Sequence, residues 1–350
     1  MIKRSTFRDG FGRRHRVTSL QKGVTLIELM VAMALGLLIA LAAAASLLIS
    51  RQGFTAVDAA SQLRDNGRYL QSLTQRLGVQ AGYRDIRFAT DTTAKTNQSY
   101  GAGTPPPNVF GLNNASRTST ATWDSGTTRT SGQVGYGSDI LVLRHQTSSS
   151  TPDATASDST MIDCAGVAST AIPTGLDDKL VSILHVGVGL DGEPSLLCSR
   201  SDTGAAPYDV QPIISGVENF QVLYGVDGIA PGNTTVPIPS TSADSIPERY
   251  LRADQLTVAG NDAATYANWQ RVRSIRIGVV LRGPPGSAID SSSQTFYPLG
   301  ISKGSASGTK GSGFANNTTD PGTVYTPTTD NRLRQVVTFT VHLRNFQGEY

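Results

Sequence analysis

Hydrophobic positions along the chain fall into three regimes. From Val24 to Ile49 they are continuous apart from small and hydroxyl residues, with a single charge, Glu28. From residue 51 to 82 they recur every three or four positions: Phe54, Val57, Ala60, Leu63, Leu70, Leu73 and Leu77, with Gly67 on the same stripe. Beyond residue 83 they alternate in short runs separated by stretches rich in Gly, Ser, Thr and Pro. The first regime predicts a helix of membrane length. Its 26 residues, at about 1.5 Å each, span about 39 Å against about 30 Å of bilayer hydrocarbon. The second predicts that the helix continues as an amphipathic one. A 3.6-residue period puts the apolar residues on one face and Arg51, Gln52, Asp58, Gln62, Arg64, Asp65 and Arg68 on the others. Gly53 and Gly67 are its weak points.

The third regime reads as strands at 138–146, 179–186, 217–226, 271–282 and 334–345. In the fourth, Ile275, Ile277, Val279 and Leu281 share a face. In the fifth, Val337, Phe339, Val341 and Leu343 do, opposite Thr338, Thr340 and His342. Such one-sided alternation predicts an antiparallel sheet with one covered face, and the amphipathic helix is the simplest cover. The expected fold is α+β: a long N-terminal helix, membrane-spanning in its first half, packed on an antiparallel β-sheet with long loops. The expected divisions are a basic leader at 1–23, a transmembrane half-helix at 24–50, an amphipathic half at 51–82 and a β-rich globular domain at 83–350. Loop insertions are expected at about 89–135, 229–268 and 283–332.

Charge changes this picture at one end only. The net charge is +3, yet Lys3, Arg4, Arg8, Arg13, Arg14, Arg16 and Lys22 stand against Asp9 alone in the first 23 residues. The remainder holds 23 basic and 26 acidic residues, a net of −3. The basic excess therefore belongs to the leader, where it directs a positive-inside start with the C-terminal body across the membrane. Bulk positive charge in the body is not available to attract nucleic acid. Arg271, Arg273, Arg276 and Arg282 alternate along both faces of one strand without interleaved aromatics, and are better read as sheet-surface salt pairing.

Candidate catalytic chemistry is nearly absent. "GVGLDG" (187–192) matches a dinucleotide-binding pattern after a strand, but "EPSLLCSR" follows where a helix would have to open, so a glycine-rich hairpin is expected. The four histidines, His15, His145, His185 and His342, are scattered without ligand spacing. "YGVDGIAPGN" (224–233) offers a calcium loop only Asp227 and Asn233 as side-chain ligands. No cofactor is expected. The two cysteines, Cys164 and Cys198, sit in an exported domain and are most simply a disulfide, two buried free thiols being the alternative.

Glu28 sets the reading of the N-terminus. A carboxylate inside a membrane segment costs about 3 kcal/mol, which neither a plain signal anchor nor a secretory signal cut near "ALAAAAS" (40–46) explains. A cut between Gly23 and Val24 makes Glu28 the fifth residue of a new chain, near a fresh α-amino group, and a buried carboxylate is tolerable beside a positive partner. "KGVTLIELM" resembles the signal of type IV prepilins and type II secretion pseudopilins, with glycine before the cut and glutamate fifth after it. Val24 departs from the phenylalanine usual in that family. The resemblance implies cleavage after Gly23 by an inner-membrane prepilin peptidase, N-methylation of Val24, and a role for Glu28 in docking the helix into a growing filament.

The body carries a second resemblance. "QLRDNGRYLQSLTQRLGVQAGY" (62–83), "SDILVLR", "DCAG" (163–166), "LLC" (196–198), "ISGVENFQVLYGVDG" (214–228), "VRSIRIGVVLR" and "RQVVTFTVHLRN" are similar, in order, to segments of PilW-type minor pilins. The family has a cysteine pair where Cys164 and Cys198 fall. The resemblance implies a minor pilin that primes type IV pilus assembly and sits at or near the pilus tip. It implies other minor pilins, the major pilin and an adhesin-like tip protein as partners, in support of twitching motility and attachment. Such a chain sits in the inner membrane before assembly, its C-terminal domain periplasmic, and at the pilus tip on the cell surface afterwards. Nucleic acid enters as a partner only through the DNA uptake that such pili often serve, and no feature of the sequence supports it. The nearest alternative is a type II secretion pseudopilin of the J type; one of another class is a membrane-anchored periplasmic enzyme, against which the lack of any nucleophile–base or metal cluster argues.

Overall fold

The computed structural model describes residues 23–86, 105–151, 154–175, 177–234, 245–288, 290, 292–301 and 320–345. They fall into two compact units, one ending at Arg51 and one beginning at Gln52. The leader up to residue 22 lies outside the described residues. A single 55-residue helix, α1 (Leu26–Gln80), runs through the division. In the first unit every residue from 23 to 51 is exposed.

In the second unit α1 buries Ala59, Leu63, Gly67, Leu70, Leu73, Thr74, Leu77 and Gly78. The expected stripe is shorter at its start: Phe54 and Val57 are 75% and 66% exposed and Ala60 is half-buried. Coverage starts where the end of the strand Val272–Arg282 arrives, with Gly283 against Ala59. Further along, Gly67 and Gly78 let the helix axis approach Val337, Val341 and Leu343 more closely than a side chain would permit.

The strands are β1 (Val109–Leu112), β2 (Ala115–Ser116), β3 (Thr127–Thr128), β4 (Ile140–His145), β5 (Leu180–Val188), β6 (Pro194–Ser201), β7 (Asp209–Ser215), β8 (Val217–Val226), β9 (Arg249–Leu251), β10 (Val272–Arg282) and β11 (Arg334–His342). Short helices α2 (Ala253–Leu256) and α3 (Asp262–Trp269) and a 3-10 turn at Pro321–Thr323 complete the set. The one expected sheet is two. A five-stranded sheet has the order β1-β4-β5-β6-β7, and a four-stranded one β11-β10-β8-β9, with β2-β3 a separate pair. All pairings are antiparallel.

This division changes the expected one-sided burial. β8 is buried on both faces and β10 nearly so. One face of β8, with Phe220, Val222 and Tyr224, enters the common core with Ile140, Ile183, Leu196 and Trp269. Ring contacts join Tyr224 to Trp269 at 4.5 Å and Trp269 to Phe110 at 4.8 Å between centroids. The other face lies under the covering segments around Pro298 and the 3-10 turn. Thr338 donates to the Pro298 carbonyl at 2.6 Å, and a Cβ on Gly278 would strike the same residue.

The stretches expected as loops are partly structured. The first carries β1, β2 and β3, the second β9, α2 and α3, and the third the 3-10 turn. Residues 87–104, 235–244 and 302–319 of these stretches lie outside the described residues. The glycine-rich "GVGLDG" forms the β5–β6 hairpin: Gly189 N–H donates to the Glu193 carbonyl at 2.8 Å, and Gly192 turns at φ +77°.

Six side chains tie the two sheets together. Arg282 pairs with Glu193 and Glu218, Arg334 with Glu218 and Asp330, and Arg332 with Asp330 and Glu193, closing a ring of alternating charge. Glu193 comes from the β5–β6 hairpin, Glu218 from β8, Arg282 from β10 and Arg334 from β11. The hydrogen bond from Arg332, with Arg282 beside it, holds the Glu193 carboxyl below its ordinary range. The salt pairing expected of the arginines of β10 is thus realised at Arg282, and at Arg273, which lies 3.3 Å from the buried carboxylate of Asp227.

Candidate assembly site

The start of α1 is built by a short local pattern. Thr25 and Glu28 stand three apart, the spacing of a capping box, in which each residue satisfies the other's backbone N–H. The Glu28 N–H donates to Thr25 Oγ1 at 3.3 Å, and the Thr25 N–H donates to Glu28 Oε2 at 2.9 Å. The Thr25 hydroxyl adds a further bond to Glu28 Oε2 at 2.8 Å. The first helical bond runs from the Leu29 N–H to the Thr25 carbonyl at 3.2 Å. Glu28 also lies at the positive end of the helix dipole, which favours a carboxylate there. Gly23 and Val24 precede the cap, outside the helix and exposed. The residues expected to carry cleavage, methylation and docking are therefore brought together at one solvent-facing helix start.

From Leu26 to Ile49 the helix surface, Glu28 and Ser46 apart, is apolar all round and wholly uncovered, with exposures such as 77% at Leu26 and 73% at Leu37. A helix apolar on every side needs lipid or other helices around it. Thr25 is the residue that sequence reasoning passed over; T-x-x-E ahead of an apolar run was its signal.

In the second unit Cys164 and Cys198 are bonded, with Cα atoms 5.7 Å apart and a sequence separation of 34. Cys164 sits in a turn organised by Asp163, whose carboxylate accepts from the Ala165 and Val167 N–H groups and pairs with Arg200 at 3.0 Å. The bond fastens that turn to β6. Asp227 and Asn233 serve the fold: the first pairs with Arg273 and accepts from the Ser245 N–H, and the second donates to Asn268 Oδ1 at 2.8 Å. Among the described residues no three His, Cys, Asp or Glu side chains come together as a metal cluster. His185 meets Ser199 Oγ at 2.9 Å, but both are buried.

The same features recur in known proteins. The family model described as prokaryotic N-terminal methylation motif matches residues 18–44, the leader end and helix start. The model described as type IV pilus-assembly protein W matches residues 183–345, from within β5 to beyond β11. The C-terminal part of the chain, residues 183–345, thus matches the type IV pilus-assembly protein W family, and its N-terminus carries the prepilin methylation motif. Members of that family are structural subunits of pilin type, and a pilus-assembly family of this kind implies contact with other pilins and with the assembly machinery. The prepilin motif and the uncovered apolar helix go with membrane anchoring and pilus association. No curated protein matches the chain. Among solved structures it is similar to a type IV-like pilin from Thermus thermophilus, with 14% identity and a TM-score of 0.36 over 81% of this chain and 98% of that one.

Proposed function

We propose that the chain is a minor pilin that is cut after Gly23, N-methylated at Val24, and inserted early in a type IV pilus, priming its assembly and remaining at or near the tip. The carrying observation is the capping box at the head of an uncovered apolar helix, on a chain whose residues 183–345 match a pilus-assembly family. In this reading Glu28 pairs with the α-amino group of a neighbouring subunit. Each charge alone in a bilayer is a liability, and the pair compensates both where the low dielectric strengthens their attraction. The partners are other minor pilins, the major pilin, an adhesin-like tip protein and, before assembly, the prepilin peptidase and the inner membrane. Twitching motility and attachment are the cellular consequences.

A strain lacking this chain, assayed for surface pili and for secreted hydrolases, tests the proposal. Loss of surface pili and twitching with normal secretion is expected. Normal piliation with a secretion defect would move the chain to the type II secretion pseudopilins of the J type.

A further inference from the structure

Aspartate precedes proline once in the chain, at Asp320–Pro321. The bond between them opens the 3-10 turn Pro321–Thr323, with Asp320 as its N-cap residue. An Asp–Pro bond is the peptide bond most open to attack by its own side chain. The carboxyl can close a five-membered ring on the adjoining carbonyl carbon, and the proline nitrogen leaves as a secondary amine. In an open chain this reaction waits for acid, because the carboxyl must hold a proton to give to that nitrogen.

The fold prepares both reacting groups. The Asp320 carbonyl oxygen, where charge develops under attack, accepts from the Thr323 hydroxyl at 2.8 Å and from the Thr323 N–H at 3.2 Å. Two donors on a carbonyl under attack are the arrangement of an oxyanion hole. The Asp320 side chain makes no cap bond. It is 1% exposed, and neither carboxyl oxygen has a hydrogen-bond partner to hold it away from the carbonyl. Burial raises this carboxyl above the ordinary carboxylate range, with Asp254 acting in the same direction and Arg252 against it. Arg252 is engaged by Asp254 at 2.7 Å. Asp139, also buried and within the same field, has its carboxylate held by the Asn113 amide and by the Asn114 and Val222 N–H groups.

The turn is fixed from outside. Its Gly322 lies so close to Gly137, itself at φ +84°, that a Cβ on Gly137 would stand 2.5 Å from the Gly322 Cα. The Gln221 amide donates to the Gly137 carbonyl, and a Cβ on Gly322 would strike that amide. Thr323 is wholly buried. Its two donors are therefore kept on the Asp320 carbonyl by the packing of the turn against β8 and residue 137.

We propose that the Asp320–Pro321 bond is a self-cleavage site. A carboxyl oxygen of Asp320 bonds to the Asp320 carbonyl carbon, the C–N bond to Pro321 breaks, and the carboxyl proton passes to the proline nitrogen. Water then opens the cyclic anhydride, leaving Asp320 with a free α-carboxylate and Pro321 as a new N-terminus. One water is consumed and no other reagent. The piece from Pro321 onward carries β11, paired with β10 along its length, and Arg332 and Arg334 of the charge ring, so it stays bound. The product is a two-chain globular unit whose covering turn is released at one end.

The test incubates the full chain in detergent at pH 6 and at pH 9, folded or unfolded in urea, with samples handled without heat or acid. A C-terminal piece beginning at Pro321 should accumulate from the folded protein at pH 6, about tenfold or more faster than in urea, where the Thr323 donors and the burial are gone. It should form more slowly at pH 9, where the carboxyl has lost its proton. The two pieces should migrate together on native gel filtration and separate in urea. Asp320→Ala should yield no such piece, and Thr323→Val, which keeps the shape and removes the hydroxyl, should slow its release by about tenfold or more. No piece from the folded wild type overturns the proposal, as does equal or faster cleavage in urea, cleavage of Asp320→Ala at the same bond, or an unchanged rate in Thr323→Val. If a variant fails to fold by circular dichroism, the comparison of folded with unfolded wild type decides.

Discussion

His145 and His185 sit on adjacent strands of the five-stranded sheet and are almost wholly buried. Burial alone holds the His145 ring down to about 4, and burial with Arg117 and Arg129 nearby holds His185 down to about 3. Both are neutral in the folded chain at pH 7. Unfolding returns them to an ordinary value of about 6.5, so below that pH the unfolded chain binds protons that the folded chain refuses. Their contribution is complete above pH 6.5 and is lost as pH falls toward 4. Between pH 7 and pH 5 the loss should be about 2 kcal/mol for each histidine, read from urea unfolding. His145→Leu should flatten that slope by about half, because neither ring nitrogen of His145 holds a hydrogen-bond partner that leucine would miss. An unchanged slope would assign the acid sensitivity elsewhere. At the same scale, Cys164→Ser opens the cross-link between the 163–167 turn and β6. The loop it closes should make the bond worth about 4 kcal/mol, so the variant should lose about 2–5 kcal/mol and non-reducing peptide mapping of the parent should find the two cysteines joined. A paired location for these cysteines was readable from a chain expected to be exported with only two of them. The isolation of His145 was not, since it depends on which strand lies beside it.

At the scale of elements, α1 was the most legible part of the chain, because continuous apolarity and a 3.6 period survive any tertiary arrangement. The five long alternating runs were legible for the same reason and became β4, β5, β8, β10 and β11. β1 is too short to show a period, and β7 carries Pro212 and faces solvent along much of its length, so neither announced itself. The capping box gives α1 a test that separates two uses of Glu28. Glutamine serves a capping box as well as glutamate does, so Glu28→Gln keeps the helix start and removes only the charge. Thr25→Ala does the reverse, costing about 1 kcal/mol of helix stability while keeping the acid. We expect Glu28→Gln to be cleaved normally yet to incorporate poorly into filaments, with leader removal followed on a gel and surface pili counted. Thr25→Ala should assemble far better. Normal piliation by Glu28→Gln as the only copy would eliminate charge pairing as the docking mechanism.

At the scale of the molecule, two sheets are held as one body by a shared apolar core and by the closed ring of Glu193, Arg282, Glu218, Arg334, Asp330 and Arg332. The ring was invisible in the sequence because its partners are far apart, Arg332 and Glu193 by 139 residues. Glu218 is its most buried acid and bonds to two arginines. Glu218→Ala should destabilise by about 3 kcal/mol, since it leaves the guanidiniums of Arg282 and Arg334 short of charge. Glu193→Ala, at a more exposed corner, should cost less. Equal and negligible losses in urea melts would mean that the core alone joins the sheets. In the proposed function, this body reaches a filament only after the leader is removed at the Gly23–Val24 bond. The decisive measurement is therefore intact-mass and N-terminal peptide mass spectrometry of the protein isolated from membranes and from sheared pili. The account predicts a chain that begins with N-methylated Val24 in both fractions. A chain that still carries its leader, or one that begins near Ala42–Ala45, would contradict it.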